Sequence, residues 1–235
     1  AAELQNEINA LKQGQEKILE ELAALKKLVQ DRPRAAPSAP GFAPKELTLG
    51  DAHILGASDA PVMLFSYSDF HCPYCRRHAT TVMNSLISEY VDEGSLRIVL
   101  REYPIPTLHP RATAAAKVAV CAGAQGQYQA MHDLLFSDQK ATSDETFAAY
   151  AAQLGLDPED FQACVDSQET AARVRADIAE GQGLGVTGTP SFVIGLSDQD
   201  NPDKVRVTRF IRGAQPLSAF NNAIDEQLKK LEAAK

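Results

Sequence analysis

Between residues 62 and 103 the chain carries an apolar run, a pair of cysteines, a helical pattern and a second apolar run. This succession constrains the fold more than any other feature. Val62-Met63-Leu64-Phe65-Ser66-Tyr67 reads as a buried strand. From the cysteine pair Cys72-Pro73-Tyr74-Cys75 a helix is expected to run to about Glu93, with Val82, Leu86 and Tyr90 on one face and Gly94 placed to stop it. Leu96 to Tyr103 reads as a second strand. Strand–helix–strand at this spacing is a βαβ unit, so the two strands should be parallel.

Residues 109 to about 183 read as helices. One is alanine-rich, from Arg111 to Ala124, and another carries Met131, Leu134 and Leu135. A third starts with the capping-box pattern Thr142-x-x-Glu145, and a fourth with Asp157-Pro158, a cap residue followed by proline in the first turn. A fifth carries Val174 and Ile178 before Gly181. Strand patterns return at Ser191 to Ile194 and Val205 to Ile211, and a last helix begins near Pro216 with Leu217, Phe220, Ile224 and Leu228 on one face. The expected fold is α/β: one sheet with a parallel and an antiparallel half, interrupted by a helical insertion at about 107–185.

Ahead of this head, residues 1–30 carry a different pattern. Ile8, Gln15, Leu22 and Val29 alternate with Leu4, Leu11, Ile18 and Leu25 in steps of four and three, a heptad seam. As a helix it would be roughly 40 Å long at about 1.5 Å per residue. It reads as an N-terminal coiled-coil helix for oligomerisation, and the other reading is one amphipathic helix lying on the head. Residues 31–46 are proline-rich and read as a semi-extended linker. Its alternative is a fixed arm anchored by Phe42. The head then spans 47–235.

The net charge of −8 argues against a nucleic-acid partner, which a basic field would mark. No apolar run is long enough to cross a bilayer. The start at Ala1-Ala2 suits a mature protein whose signal peptide has been removed.

The chemistry centres on Cys72 and Cys75. Cys72 falls where a strand ends and a helix begins, and unpaired backbone N–H groups there favour negative charge. A thiolate at that point is stabilised and reactive. Cys75 lies one turn further in, able to attack a mixed disulfide on Cys72. Pro73 occupies an early helical position where its missing N–H matters little. His71, Arg76, Arg77 and His78 surround the pair; fixed charge or imidazolium there would stabilise a thiolate further, and solvated surface groups are the plainer reading for the arginines.

A second marker is Thr189-Pro190 ahead of the strand at Ser191. It is either an ordinary loop proline or a cis peptide bond that turns the Thr189 backbone toward a substrate. Cys121 and Cys164 are either two buried small residues or a structural disulfide, which needs an oxidising compartment. Structural zinc would need a second ligand pair, which the sequence lacks. His71 or His78 beside the thiols leaves a copper site as a rival reading. No metal or other cofactor is assigned.

With Asp69-Phe70-His71-Cys72-Pro73-Tyr74-Cys75 and Thr187-Gly188-Thr189-Pro190-Ser191-Phe192 both present, residues 47 to 232 resemble the DsbA-type thiol–disulfide oxidoreductases. The segments Cys121-Ala122, Gln125 to Tyr128 and Met131 to Phe136 are similar to that family's inserted helices. The resemblance implies a thioredoxin fold with a helical insertion. It implies catalysis by Cys72 and Cys75, substrate contact at Thr189 and Pro190, and tuning by His71, Pro73, Tyr74 and Arg76. It also implies a bridge between Cys121 and Cys164. Where some relatives carry a buried Glu six residues before the first cysteine, this chain has Ser66. With its N-terminal helix and linker, the chain most resembles the trimeric ScsC-type disulfide isomerases linked to copper tolerance. That likeness implies a periplasmic homotrimer acting on disulfide-containing clients, with a membrane-bound thiol reductant of the ScsB type. The alternatives are a dithiol oxidase of the same fold and a copper-binding protein that uses the cysteine pair.

Overall fold

A computed structural model describes residues 42–140, 143–198 and 200–233, together with positions 9, 12–15, 17–18 and 20–21. The chain divides into two units, Ala1–Ala35 and Ala36–Lys235. The described positions of the first unit are helical, and Gln15 and Ile18 are the seam residues among them. Leu4, Ile8, Leu11, Leu22, Leu25 and Val29 lie outside the described residues, as does the linker up to residue 41.

The second unit is built on a six-stranded sheet. Its strands are β1 (Lys45–Thr48), β2 (His53–Leu55), β3 (Val62–Ser68), β4 (Leu96–Glu102), β5 (Ser191–Ser197) and β6 (Lys204–Arg212). Their order is β1-β6-β5-β3-β4-β2. The β3–β4 pair is parallel, with Val62 opposite Leu96 and Ser68 opposite Glu102, and the other pairs are antiparallel. The edge strands β1 and β2 have no counterpart in the sequence reading. At four and three residues they are too short to show alternation. The sheet thus begins at Lys45, and just before it Phe42 packs its ring against Phe210, centroids 5.8 Å apart.

The link between β3 and β4 is one continuous helix, α1. It runs through an α segment Pro73–Arg77, a π segment His78–Val82, an α segment Met83–Leu86 and a π segment Ile87–Val91. The chain then turns at Gly94, whose φ of 72° is left-handed and suits glycine. Among the described residues five helices separate β4 from β5: α2 (Ala112–Ala124), α3 (Tyr128–Ser137), α4 (Asp144–Gln153), α5 (Pro158–Asp166) and α6 (Gln168–Gly183). The last helix is α7 (Leu217–Ala233).

The start of α5 is as expected, with Asp157 accepting the Asp160 N–H at 2.9 Å ahead of Pro158. The start of α4 is not. Thr142 lies outside the described residues, and the capping oxygen belongs to Ser143, which accepts the Thr146 N–H at 3.2 Å from an extended backbone. Helix α6 does not stop at Gly181 but runs to Gly183, and position 181 needs glycine for packing, because a Cβ there would come within 2.7 Å of the Tyr103 ring.

Alternation along the strands divides the core between two faces of the sheet. Val62, Leu64, Ile98, Leu100, Phe192 and Ile194 face α1, α7 and the inserted helices. Met63, Phe65, Tyr67, Val99, Val193 and Phe210 face the opposite side, where Leu184 and Val186 cover them. Arg101 is buried on this second face. It reaches Glu180 at 2.9 Å, Asp177 at 3.4 Å and the Thr48 carbonyl at 2.7 Å. The Tyr67 hydroxyl donates to the same Glu180 carboxylate at 2.6 Å. The cation therefore ties α6 and the β1 edge to the sheet centre. Arg101→Met leaves two carboxylates without it, and a loss of about 3–5 kcal/mol is expected in urea unfolding.

Candidate active site

Strand β3 ends at Ser68, and the next four residues turn the chain into α1. Cys72 is the N-cap, with extended backbone (φ −78°, ψ 121°), and Pro73 is the first helical residue. The residue types dictate this arrangement: proline lacks an N–H, has a fixed φ and disfavours helix in the residue before it. The Cys72 carbonyl accepts the Arg76 N–H at 3.1 Å. The Cys72 side chain makes no capping hydrogen bond.

Cys72 and Cys75 are both free thiols, 5% and 1% exposed. Opposite them the Thr189–Pro190 peptide bond is cis, and the Thr189 carbonyl lies 3.4 Å from the Cys72 sulfur. Strand order explains the meeting: β5 is the neighbour of β3, so the turn before β5 and the turn after β3 come together at one end of the sheet. The structure thus brings Cys72, Pro73, Tyr74, Cys75, Thr189 and Pro190 to one place.

The two sulfurs are driven apart in acidity. Cys72 is lowered to about 6, chiefly by the hydrogen bond from the Cys75 thiol, against burial, and then by the Cys75 N–H, the Thr189 side chain and the Tyr74 N–H. Cys75 is pushed well above the ordinary thiol range, first by burial and then by the hydrogen bond and negative charge of Cys72. The Asp69 N–H donates to the Cys75 sulfur at 3.5 Å. One sulfur is thus an anion near neutral pH, and the other keeps its proton until the first is consumed.

The charged neighbours do less than the sequence suggests. Arg76 and Arg77 are exposed, and hydrogen bonds, not their charges, lead among the influences on Cys72. Arg77 sits 5.4 Å over the Tyr74 ring and donates to the Ala214 carbonyl. His78, read as a possible imidazolium, is wedged between Phe192 and Phe220, and burial lowers it to about 3, so it is neutral. His71 is half-buried, and its N–H donates to the Asp69 carboxylate at 2.8 Å.

The sequence reading gave Asp69 no role of its own. Its buried carboxylate accepts the His71 N–H and the Ile105 N–H, each at 2.8 Å, and meets the His109 ring at 2.9 Å. It pins the cysteine turn to the segment after β4. An Asp two residues before a backbone N–H is an Asx-turn pattern, and that was the available signal. Cys121 and Cys164 form a disulfide between α2 and α5, closing a sequence separation of 43. Among the described residues no three His, Cys, Asp or Glu side chains converge as metal ligands.

The family model described as thioredoxin matches residues 48–212, from the end of β1 to the end of β6. The chain belongs to the thioredoxin family. Within the reach of this fold, a thioredoxin-like oxidoreductase from Silicibacter pomeroyi is 29% identical, with a TM-score of 0.63 over 77% of this chain and 94% of that one. α-DsbA1 from Wolbachia pipientis is 23% identical, with a TM-score of 0.67 over 80% of this chain and 96% of that one, and shows the shared fold. Helical insertion included, this is the thioredoxin fold as DsbA-type structures have it. The chain is also 33% identical over 171 residues, 73% of its length, to the Na(+)/H(+) antiporter NhaA 3 of Salinispora tropica. It spans about a quarter of that relative's length, 25%. Among the described residues no helix is long and apolar enough to cross a membrane.

A thioredoxin-family site of this kind links stability to pH. The oxidised protein lacks the Cys72 thiol. In the reduced protein that thiol is lowered from 9.0 to about 6, so it adds stability that is full above 9 and lost as pH falls to 6. Cys75 is displaced the opposite way and acts only above that window. The stability of the reduced form relative to the oxidised form is expected to rise between about pH 6 and 9. Urea unfolding of both forms across that range checks it, and a flat difference would contradict it.

Proposed function

We propose that the chain is a periplasmic thiol–disulfide oxidoreductase working as a protein disulfide isomerase, assembled as a homotrimer by residues 1–30. The observation that carries the exchange chemistry is the acidic Cys72 sulfur, held beside Cys75 and against Thr189 at the open end of the sheet. The Cys72 thiolate attacks a client disulfide: a Cys72–client S–S bond forms, and the second client sulfur leaves as a thiolate. A different client thiolate then attacks the client sulfur of this mixed disulfide: a new client S–S bond forms, the Cys72–client bond breaks and Cys72 leaves as an anion, with no net oxidation. If the client stalls, Cys75 gives up its proton and attacks Cys72. The client then leaves reduced by two electrons and the pair is oxidised. A membrane-bound thiol reductant of the ScsB type would restore the pair. Tyr74 and Leu108 are 58% and 69% exposed and offer apolar contact to an unfolded client.

Two observations support the finer points. The heptad seam is a surface for other copies, and its Ile18 is 59% exposed in the single chain. Several thiol centres on one stalk raise the effective concentration around a client. The Cys121–Cys164 disulfide suits an oxidising compartment.

The test compares reactivation of a scrambled-disulfide substrate by the full chain and by a form lacking residues 1–30, with the mass of each in solution. The proposal expects a trimer that reactivates and a monomer that does so poorly. Equal reactivation, or a full-length monomer, removes the stalk's role. A chain that oxidises dithiols without reshuffling wrong disulfides is a dithiol oxidase instead.

A further inference from the structure

The inserted helices hold the cysteine turn at its sensitive point. Phe70 leaves the turn and packs into the end of α3, 4.9 Å from the Phe136 ring and 5.7 Å from His132 in an edge contact. His132 and Phe136 in turn lie 4.8 Å apart. Two residues beyond α3, Gln139 reaches back along the same face. Its side-chain nitrogen donates to the Phe70 carbonyl at 2.8 Å and to the Cys72 carbonyl at 2.9 Å. A carboxamide has two N–H donors, and both are used. The Cys72 carbonyl, which also takes the Arg76 N–H, then has both acceptor positions filled. The end of α3 therefore grips the residues on either side of His71 by apolar packing and by hydrogen bonds together.

We propose that Gln139 is a positioning residue for thiol–disulfide exchange, fixing the Cys72 peptide and with it the place of the Cys72 sulfur beside Cys75 and the Thr189 carbonyl. Rotation of that peptide would turn the sulfur away from Cys75 and from Thr189. The amide also sets the positive end of a dipole beside the residue that carries the thiolate. The inference deepens the exchange reaction above and rests on it.

Gln139→Met keeps the length of the side chain and removes both donors. Gln139→Glu replaces the donors by an anion facing two carbonyl oxygens. The titratable groups around the turn are Tyr74, Cys75, Arg76, Arg77 and His78 on α1, Asp69 and His71 before it, His109 on Asp69, His132 against Phe70, and Asp138 and Lys140 on either side of Gln139. All are kept in both variants.

The readout is thiolate absorbance of the reduced full chain against pH, with thermal unfolding alongside. Gln139→Met is expected to raise the Cys72 midpoint on the order of one pH unit, about a tenfold loss of thiolate below both midpoints. Gln139→Glu is expected to raise it further. A merely structural role would lower the unfolding temperature and leave the midpoint in place. Folded variants that titrate like the wild type overturn the proposal. Should a variant not fold, the wild type decides: Gln139 side-chain amide resonances are expected to shift with the Cys72 titration, and resonances fixed through it overturn the proposal as well. An ordinary, weakly acidic Cys72 in the wild type would instead count against the exchange reaction itself.

Discussion

Cys72→Ser is expected to leave a folded protein that no longer exchanges disulfides, with a fall of at least about three orders of magnitude in rate. The argument rests on which sulfur the fold activates. Cys72 alone is lowered, to about 6, by donors that the strand–turn–helix junction supplies. A serine hydroxyl at the same point keeps its proton at neutral pH and cannot form a disulfide. Cys75 cannot take over, because burial and its neighbour hold it protonated and it is 1% exposed. The converse variant should behave differently. Cys75→Ser leaves the attacking thiol in place and removes the resolving one, so client proteins should accumulate as mixed disulfides on Cys72. Non-reducing gels after incubation with a disulfide-containing client separate the cases. Trapped adducts on the Cys72→Ser protein, or none on Cys75→Ser, would reverse the assignment.

The second large effect concerns stability. Replacing Cys121 and Cys164 together by alanine removes a cross-link between residues 43 apart. On the chain-entropy account such a loop is worth about 4 kcal/mol at room temperature. For a domain of this size, that is a fall of roughly 8–16 °C in the midpoint of thermal unfolding. The effect should be on stability first, because the bridge joins α2 to α5 inside the helical insertion and not at the cysteine turn. Exchange by the double variant at low temperature should stay near that of the parent. Calorimetry of the two proteins checks the first expectation, and an unchanged midpoint would contradict it.

Much of the centre of the fold is legible in the chain. Val62 to Tyr67 and Leu96 to Glu102 are runs that only a doubly covered strand would bury, and they are parallel neighbours. The cysteine pair and Thr189-Pro190 could be matched because both sit where a strand meets a turn. What escaped the sequence is short or distant. The edge strands β1 and β2 are defined by the partners they bond, not by any pattern of their own. Asp69 shows its role only once Ile105 and His109 have been brought to it from beyond β4. Gln139 is an unremarked polar residue until α3 places it under the cysteine turn. The sign of a local effect can also mislead. Histidine three residues after Cys75 looks like added positive charge, but helix periodicity carries it inward between Phe192 and Phe220, where burial strips that charge.

The claim on which the rest stands is that the junction of β3 and α1 makes one sulfur an anion at neutral pH. Alkylation of the reduced full-length chain by iodoacetamide, followed from pH 4 to 10 with mass mapping of the labelled cysteine, tests it most directly. The account predicts labelling of Cys72 that rises with a midpoint near 6, with Cys75 unlabelled across the same range. A Cys72 midpoint at the ordinary thiol value, or labelling of Cys75 first, would contradict it.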